Sequence, residues 1–371
     1  MIHIVHLASV MNRAGQETLI MNILRNINKN EFDISILCTF HEIGDYDEEI
    51  AQLNSNIYYL PTNILSGLKY INHIGTILSY ISFFRKHPEF HIFHMHTYHA
   101  FDAFLGVLGA KIAGVSKIIV HSHNSKAPHR FLHYLFRMLL NCMDIERFAC
   151  SNLAAKWLFG TMKNVTIINN GIMLDSYSFN ISKREKIRFD LGIDKDKFVI
   201  GHIGRFNFQK NHSFLIDIFE QIYNLDKNSL LLLVGCGETQ MEIRQKVRDK
   251  GLNESVRFLN VRNDIFDLLC GFDAFLFPSL FEGLSVVLIE AQASGLPCII
   301  SDTNSKEILL TDDVHMLSLC DGVNIWANMT LRFNRHSRTS LLNISKLRLA
   351  GYDIITTVNS LEVCYKNWSK L

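Results

Sequence analysis

The sequence predicts an α/β protein with two domains, each built on a parallel β-sheet covered by helices. Short apolar runs typical of buried strands alternate with helix-length segments, which is the order that parallel sheets require. The alternation restarts near Phe198, and 371 residues suit two domains at about 100–200 residues each. We therefore expect an N-terminal domain at 1–178, a C-terminal domain at 179–351 and a final helix at 352–371.

The composition narrows the class of protein. A net charge of +1 gives no global attraction to nucleic acid, so no nucleic-acid partner is expected. The eight cysteines are scattered without Cys-x2-Cys pairs, which favours reduced side chains and a cytoplasmic protein. The sequence has no run of about 18 apolar residues, so any membrane contact is expected to be peripheral, at the inner face of the plasma membrane.

The first half begins with a strand at 2–8, a loop that contains Gly15 and a helix at 16–26. Such a glycine-bearing turn is where many α/β sheets hold a phosphate, although a plain turn explains it equally well. The other expected elements of this half are a helix at 66–87 and strands at 32–40, 57–60, 90–94, 117–120, 149–151 and 165–168.

Histidines crowd the region around two of these strands, at His91, His94, His96, His99, His121 and His123. The nearby acids Glu89 and Asp102 complete no familiar ligand spacing, so a metal site is not expected. His121 and His123 follow the strand at 117–120, and ligand sites in α/β proteins lie at the carboxyl ends of strands. One of these two imidazoles is a candidate for positioning a reacting hydroxyl.

The segment 126–140 combines an apolar stripe with a basic flank. The stripe contains Phe131, Leu132, Leu135, Phe136 and Leu139, and the flank contains Lys126, Arg130 and Arg137. A helix of this kind can lie on an anionic membrane surface. A helix packed on the domain with one solvated face is the simpler interpretation.

Polar residues at 170–186 are predicted to link the two halves. The second half begins with a strand at 198–206, and Arg205 and Lys210 lie at the loop before the next helix. Both cations can point into a cleft at the end of the strand, although a loop also tolerates two solvated bases. The remaining elements are expected as helical structure at 323–347 and strands at 230–234, 256–259, 298–301 and 317–319.

The most informative stretch lies at 274–297. An apolar strand at 274–277 is followed by a polar loop, and Ser285 suits the N-cap of a helix at 286–293. The start of that helix offers unpaired N–H groups to a phosphate. Glu282 and Glu290 flank this anion site, and carboxylates accept hydrogen bonds from sugar hydroxyls. The arrangement predicts a nucleoside-diphosphate sugar as ligand.

The run Pro-Ser-x-x-Glu-Gly…Glu-Ala-x-Ala-x-Gly-x-Pro around Glu282 and Glu290 resembles the E-x7-E signature of retaining GT-B glycosyltransferases of family 4. The segment from Gly204 to Asn211 resembles a second segment of that family. The resemblance implies two Rossmann-like domains facing across a cleft, with a C-terminal helix that crosses back to the first. It also implies transfer of a sugar from a nucleotide donor, with UDP the expected nucleotide, to a glycan or lipid-linked glycan in cell-surface polysaccharide synthesis.

The same resemblance implies roles for individual residues. Glu282 would contact the donor sugar, Glu290 the ribose, and Arg205 and Lys210 the diphosphate. His123 matches the family's histidine beside the sugar and acceptor better than His121 does. The remaining donor-binding candidates are Gly15, Val261, Arg262, Gly283, Leu284 and Ser285.

No metal and no cofactor are expected for this chemistry. Asp-x-Asp, the usual metal holder of other glycosyltransferases, occurs at 45–47 and 194–196, but both copies lie in polar turns that precede an element. Three alternatives remain: a GT-B sugar epimerase, a phosphorylase, and a non-catalytic partner subunit of another glycosyltransferase. The presence of all four polar candidates argues against a non-catalytic subunit, namely Arg205, Lys210, Glu282 and Glu290.

Overall fold

The computed structural model describes residues 1–61, 72–125, 129–334 and 338–368. The chain divides into two compact units, the first made of Met1–Gly171 with Ile354–Leu371 and the second of Ile172–Asp353. Each unit contains one parallel sheet connected through helices, which confirms the predicted α/β class.

The first unit contains a seven-stranded sheet in the order β3-β2-β1-β4-β5-β6-β7, with every pairing parallel. The order reverses between β1 and β4, as it does in dinucleotide-binding α/β domains. The strands are β1 Ile2–Ala8, β2 Phe32–Cys38, β3 Ile57–Tyr59, β4 Ile92–Thr97, β5 Lys117–Ser122, β6 Glu146–Ala149 and β7 Thr166–Ile167.

Helices cover both faces of this sheet, because alternate strand residues enter two separate apolar clusters. Ile4 and Ala8 pack with the first and last helices of the unit, whereas Val5 and Leu7 pack with the third and fourth. The helices are α1 Gly15–Asn26, α2 Asp47–Gln52, α3 Asn72–Lys86, α4 Ala100–Ala113, α5 Arg130–Asn141, α6 Asn152–Phe159 and, from the chain's end, α14 Ile354–Trp368.

The second unit contains a six-stranded parallel sheet in the order β10-β9-β8-β11-β12-β13. Its order reverses between β8 and β11, in the same way as in the first unit. The strands are β8 Phe198–Ile203, β9 Ser229–Val234, β10 Val256–Phe258, β11 Ala274–Phe277, β12 Cys298–Ser301 and β13 Val314–Leu317. The helices are α7 Ile181–Asp190, α8 His212–Leu225, α9 Gln240–Asp249, α10 Ile265–Gly271, α11 Val286–Ala293, α12 Val323–Leu331 and α13 Leu341–Leu349.

The predicted linker at 170–186 is wrong, because most of it is ordered structure of the second unit. A 3-10 turn at Leu174–Tyr177 leads into α7, and Ile172 forms a bridge with Asp353. These contacts place the division after Gly171 rather than after residue 178.

Some ends of the strands and helices differ from the prediction, where the apolar pattern in the sequence is short. The strand expected at 317–319 lies at Val314–Leu317, and the one expected at 90–94 lies at Ile92–Thr97. The expected helix at 323–347 is two helices, while residues 66–71 of the expected helix at 66–87 lie outside the described residues. No helix in the described part of the chain is both long enough and apolar enough to cross a membrane.

Candidate active site

The loops that follow β8 and β11 meet in the second unit at the point where the strand order reverses. The strands pair directly, with Ala274 beside Ile200, so their carboxyl ends lie side by side. The crevice outside such a switch point is where open α/β sheets bind ligands. Both predicted anion-binding segments therefore lie at one place in the second unit.

Hydrogen bonds hold these two loops together. The backbone N–H of Leu280 donates to the Gln209 carbonyl at 2.8 Å, and the Gln209 side chain donates to the Phe281 carbonyl at 3.0 Å. The Asn211 side chain donates to the Pro278 carbonyl at 3.1 Å. The loop that carries Lys210 is thus fixed against the loop that carries Glu282.

Lys210 and Glu282 form an ion pair in this crevice. The Lys210 Nζ donates to the Glu282 Oε1 at 2.7 Å, and their side chains are 14% and 8% exposed. The Nζ also lies 4.4 Å from the centroid of the Phe277 ring, within the range of a cation–π contact. The sequence predicted each residue at the site without predicting that they would contact each other.

Two glycines let the loop after β9 pack against the loop after β8. A Cβ on Gly235 would lie 2.2 Å from the Gly204 carbonyl oxygen, and one on Gly237 would lie 2.3 Å from the Phe206 carbonyl oxygen. Both glycines also have positive φ, at 131° and 156°. Only glycine fits here, and the backbones are brought together beside Arg205.

Arg205 remains near the surface of this crevice. Its Nε lies 3.4 Å from the Glu238 Oε2, and the two side chains are 72% and 60% exposed. An exposed pair of this kind contributes little to stability, so the guanidinium can turn toward an anion at low cost.

The helix α11 begins next to the same loop. Ser285 occupies the N-cap, as predicted, but its side chain makes no capping hydrogen bond within the described part of the chain. Leu284 and Gly283 before it are buried. The Ser285 side chain thus occupies none of the first N–H groups of α11, which are the groups that bind phosphate at helix starts.

Glu290 lies inside the second unit, 7% exposed, one helix turn beyond the start of α11. Burial raises the pKa of its carboxyl group to about 7, although the Tyr177 hydroxyl, which donates to Oε1 at 2.7 Å, partly opposes the shift. Sequence reasoning missed Tyr177 because it lay in the presumed linker. Its hydroxyl orients Glu290.

The raised pKa predicts a pH-dependent cost of ionising Glu290. The folded protein binds this proton more tightly than the unfolded chain, so stability falls as pH rises from about 4.5 to about 7. Glu290→Gln keeps the oxygen that Tyr177 contacts, and we expect it to raise the free energy of unfolding by up to about 3 kcal/mol at pH 8. Chemical denaturation at pH 5 and pH 8 measures the difference, which should be small at pH 5.

The exposed Glu254→Gln is the control for that measurement, since it removes one carboxylate from the same unit without removing a buried one. An equal gain for both variants, or a gain for Glu290→Gln at pH 5 only, would contradict the interpretation.

The segment after β10 contains two of the predicted donor-binding candidates, Val261 and Arg262. Asn260, just before them, has a left-handed backbone, with φ of 54°, a conformation that asparagine tolerates better than most residues. Val261 is exposed, whereas Arg262 is held by Asp264 through two hydrogen bonds of 2.8 and 2.6 Å. Contact with a base by Arg262 would require this pair to open.

Gly15 and His123 belong to the first unit. Gly15 is the exposed first residue of α1, and burial raises the pKa of Glu17, two residues later, to about 7. His123 is partly buried just beyond β5, and its Nε2 shares a hydrogen bond of 2.8 Å with the His96 Nδ1.

His123 belongs to a larger cluster of buried imidazoles. The expected density of histidines is present, but sequence reasoning missed His6, because the register that places it beside His94 joins β1 to β4. Burial lowers the pKa of His6 and His123 to about 3. It also lowers the pKa of His94, His96 and His121 well below 6.5. The cluster, neutral at pH 7, contains His6, His94, His96, His121 and His123.

The helix α5 presents an apolar surface. Only His133 and Leu140 are fully buried in it, and Phe131 and Met138 are 80% and 70% exposed. Residues 126–128 of the predicted segment lie outside the described residues. The other exposed apolar or aromatic side chains of α5 are Leu132, Tyr134, Leu135 and Leu139.

Comparison with known proteins identifies the family. Residues 183–318 match the model described as glycosyl transferases group 1, and residues 13–176 match glycosyltransferase family 4. EpsF of Bacillus subtilis (strain 168), which is named as a glycosyltransferase, is 32% identical over 378 residues, covering 96% of this chain and 94% of its own. The chain belongs to glycosyltransferase family 4. The predicted family is thereby confirmed.

One further relative of this glycosyltransferase and one solved structure of similar fold bear more specific names. The UDP-Gal:alpha-D-GlcNAc-diphosphoundecaprenol alpha-1,3-galactosyltransferase of Escherichia coli is 24% identical over 382 residues, covering 98% of this chain and 96% of its own. The crystal structure of Anabaena Alr3699/HepE in complex with UDP and glucose matches with a TM-score of 0.82 over 100% of both chains at 18% identity. The latter likeness confirms the fold predicted for the glycosyltransferase.

Proposed function

We propose that this glycosyltransferase moves a sugar from a UDP-sugar, with retention of configuration, to a hydroxyl of a glycan or lipid-linked glycan in cell-surface polysaccharide synthesis. The observation that carries the proposal is the Lys210–Glu282 pair, held at the β8–β11 switch point beside the N-terminal end of α11. One ligand could therefore contact both side chains, with its diphosphate at Lys210 and its sugar at Glu282.

The donor would replace the contact between these two side chains. The Lys210 ammonium would turn to the diphosphate, and the Glu282 carboxylate would accept hydrogen bonds from the sugar hydroxyls. Arg205 and the backbone N–H groups of Leu284 and Ser285 would complete the anion site, with Gly283 allowing close approach. The apo pair keeps both charges compensated until the ligand arrives.

Glu290 would bind the ribose, and the loop at Val261 and Arg262 would lie against the base. Gly15 and His123 of the first unit would contribute to the donor and acceptor, with His123 positioning the acceptor hydroxyl. Two names support the nucleotide and the acceptor class: the Escherichia coli relative is named for UDP-Gal and a diphosphoundecaprenol-linked sugar, and the solved structure of similar fold was crystallised with UDP and glucose.

The chemistry we propose uses no metal and no cofactor. Arg205, Lys210 and the start of α11 supply the positive charge that the leaving diphosphate needs. Glu282 is held by Lys210 and Glu290 by Tyr177, so we assign neither as a covalent nucleophile. We propose attack on the same face of the sugar, with the departing phosphate accepting the hydroxyl proton.

Thermal-shift titration with UDP-, GDP- and ADP-sugars tests the donor. A UDP-sugar at 100 times its Kd stabilises the native protein by about 2.7 kcal/mol, which raises Tm by several degrees. Product analysis then separates sugar transfer to an added acceptor from epimerisation of the donor and from release of a sugar phosphate. Stabilisation by GDP- or ADP-sugars alone would refute UDP as the nucleotide, and no shift by any donor would support a non-catalytic subunit.

We also propose that α5 binds the anionic inner face of the plasma membrane, where a lipid-linked acceptor would lie. Exposed Phe131 and Met138 would enter the headgroup region, and Arg130 at the start of the helix would meet anionic lipid. Insertion of two such side chains is worth about 1.5–3 kcal/mol each.

Phe131→Ser with Met138→Ser is therefore expected to weaken binding to phosphatidylglycerol vesicles at least about tenfold, measured by co-sedimentation. Phe189→Ser with Leu349→Ser is the matched control, because those side chains of the second unit are 84% and 90% exposed. Equal binding by both double variants, or equal binding to neutral phosphatidylcholine, would contradict a role for α5.

A further inference from the structure

Six side chains in the first unit form one continuous hydrogen-bonded chain, which we call the histidine chain. Starting from the outer end, the order is His123, His96, His6, Tyr365, His94 and His121. The successive distances between the bonded atoms are 2.8, 2.9, 3.3, 2.7 and 3.1 Å. The tyrosine comes from α14 and the histidines from β1, β4, β5 and the residue after β5, so distant segments meet here.

The chemistry of neutral imidazole makes this chain directional. Each ring has one N–H and one lone pair, so a ring that accepts a hydrogen bond at one nitrogen must donate at the other. The Tyr365 hydroxyl passes the same direction on, because it donates to one ring and accepts from the next. On one side of the tyrosine, His123 Nε2 is bonded to His96 Nδ1, and His96 Nε2 is bonded to His6 Nδ1. The tyrosine hydroxyl is bonded to His6 Nε2 and to His94 Nδ1. On the other side, His94 Nε2 is bonded to His121 Nδ1.

Only two complete patterns follow from these atoms. Either all five histidines carry their proton on Nε2, or all five carry it on Nδ1. The two nitrogens at the ends, His121 Nε2 and His123 Nδ1, are buried and have no hydrogen-bond partner among the described residues. One end must therefore be an N–H donor and the other a lone pair.

The Nε2–H pattern is favoured, because the histidine side chain prefers this tautomer in water and the preference acts on five rings at once. It leaves a lone pair on the His123 Nδ1 and an N–H on the His121 Nε2. We propose that Tyr365 joins the five histidines into one chain in the Nε2–H tautomer and thereby fixes the ring of His123, whose Nδ1 carries the lone pair at the buried end of the chain. Tyr365 is then a positioning residue, and this last step rests on the proposed role of His123.

A metal centre explains the same residues less well. Two groups of three histidines, sharing His96, have ring nitrogens within 4.8 Å of one another. Nitrogen ligands on a tetrahedral zinc ion lie about 3.3 Å apart. The histidine-to-histidine contacts are shorter than that, at 2.8–3.1 Å, and both groups lack an acid to balance a buried dication.

Nitrogen-15 NMR of the histidine-labelled full chain tests the tautomers directly, with signals assigned through single His→Gln variants. We expect the Nε2–H shift pattern for all five rings. Tyr365→Phe removes the hydroxyl that joins the two halves and, in the Nε2–H pattern, leaves the His6 N–H buried without an acceptor. Because a buried unpaired N–H is costly, His6 should move its proton to Nδ1 and the uniform pattern should be lost, and kcat should fall about tenfold with little change in the donor KM. Tyr46→Phe, which removes another buried hydroxyl of the same apolar cluster, should change neither.

The outcomes are distinct. A mixture of the two tautomers among the five rings in the unchanged protein would show that the histidine chain does not have a single direction. Stoichiometric binding of Zn²⁺ that shifts these signals and is abolished by His96→Gln would show that the histidines form a metal centre and not a hydrogen-bonded chain. Altered tautomers with unchanged kcat in Tyr365→Phe would overturn the positioning role. Absence of sugar transfer by the unchanged protein would instead refute the proposed function, and the NMR pattern would still show whether the histidine chain has a single direction.

Discussion

Glu282→Gln is expected to lower the turnover number for sugar transfer by about 10²–10⁴-fold while the protein remains folded. The amide removes the negative charge that would face the donor sugar as positive charge develops on it. It keeps the size of the side chain and an oxygen that can accept the hydrogen bond from Lys210. Steady-state rates with a saturating donor measure the loss in kcat.

Glutamine is a sharper test than alanine at this position. Glu282→Ala would leave the Lys210 ammonium, whose side chain is 14% exposed, without its partner. Removing one member of a buried pair costs about 3–5 kcal/mol, so lost folding would be mixed with lost catalysis. Glu220→Gln is the matched control, since Glu220 pairs with Lys250 at 2.6 Å on another part of the second unit. Turnover of Glu282→Gln within twofold of the unchanged protein would remove Glu282 from the site.

The central strand and helix could be predicted because their signals are local. The apolar run at Ala274–Phe277 and the helix Val286–Ala293 have the same ends in the structure as in the prediction. A buried parallel strand needs only a short apolar run, and Ser285 and Gly295 mark the helix ends without help from distant residues.

The errors arose where distant residues decide the structure. The segment predicted as a linker contains the first part of α7, a helix held to the second unit by Arg184 and Arg188, which both pair with Asp273, at 2.5 and 2.6 Å. A polar sequence looked solvated, although its arginines are mostly buried against a partner far away in the chain. The contact of Tyr177 with Glu290 and the place of His6 in the histidine cluster were missed for the same reason.

Lys210→Met is expected to lower kcat/KM for the donor by about 10²–10³-fold, since the diphosphate loses a cation whose side chain is only 14% exposed. The flexible methionine fills the space over the Phe277 ring without a charge. Lys210→Arg should not restore full activity, because the planar guanidinium cannot replace a compact ammonium between that ring and Glu282.

A double variant separates the two roles of Lys210. Lys210→Met alone leaves the Glu282 carboxylate buried without its partner, so the free energy of unfolding should fall by about 3–5 kcal/mol. Adding Glu282→Gln removes that charge, and much of the stability should return while activity stays lost. Denaturant unfolding and donor kinetics on all four proteins of the cycle measure both quantities. Recovery of activity together with stability would show that the pair only supports the fold, since the diphosphate cation would then be dispensable.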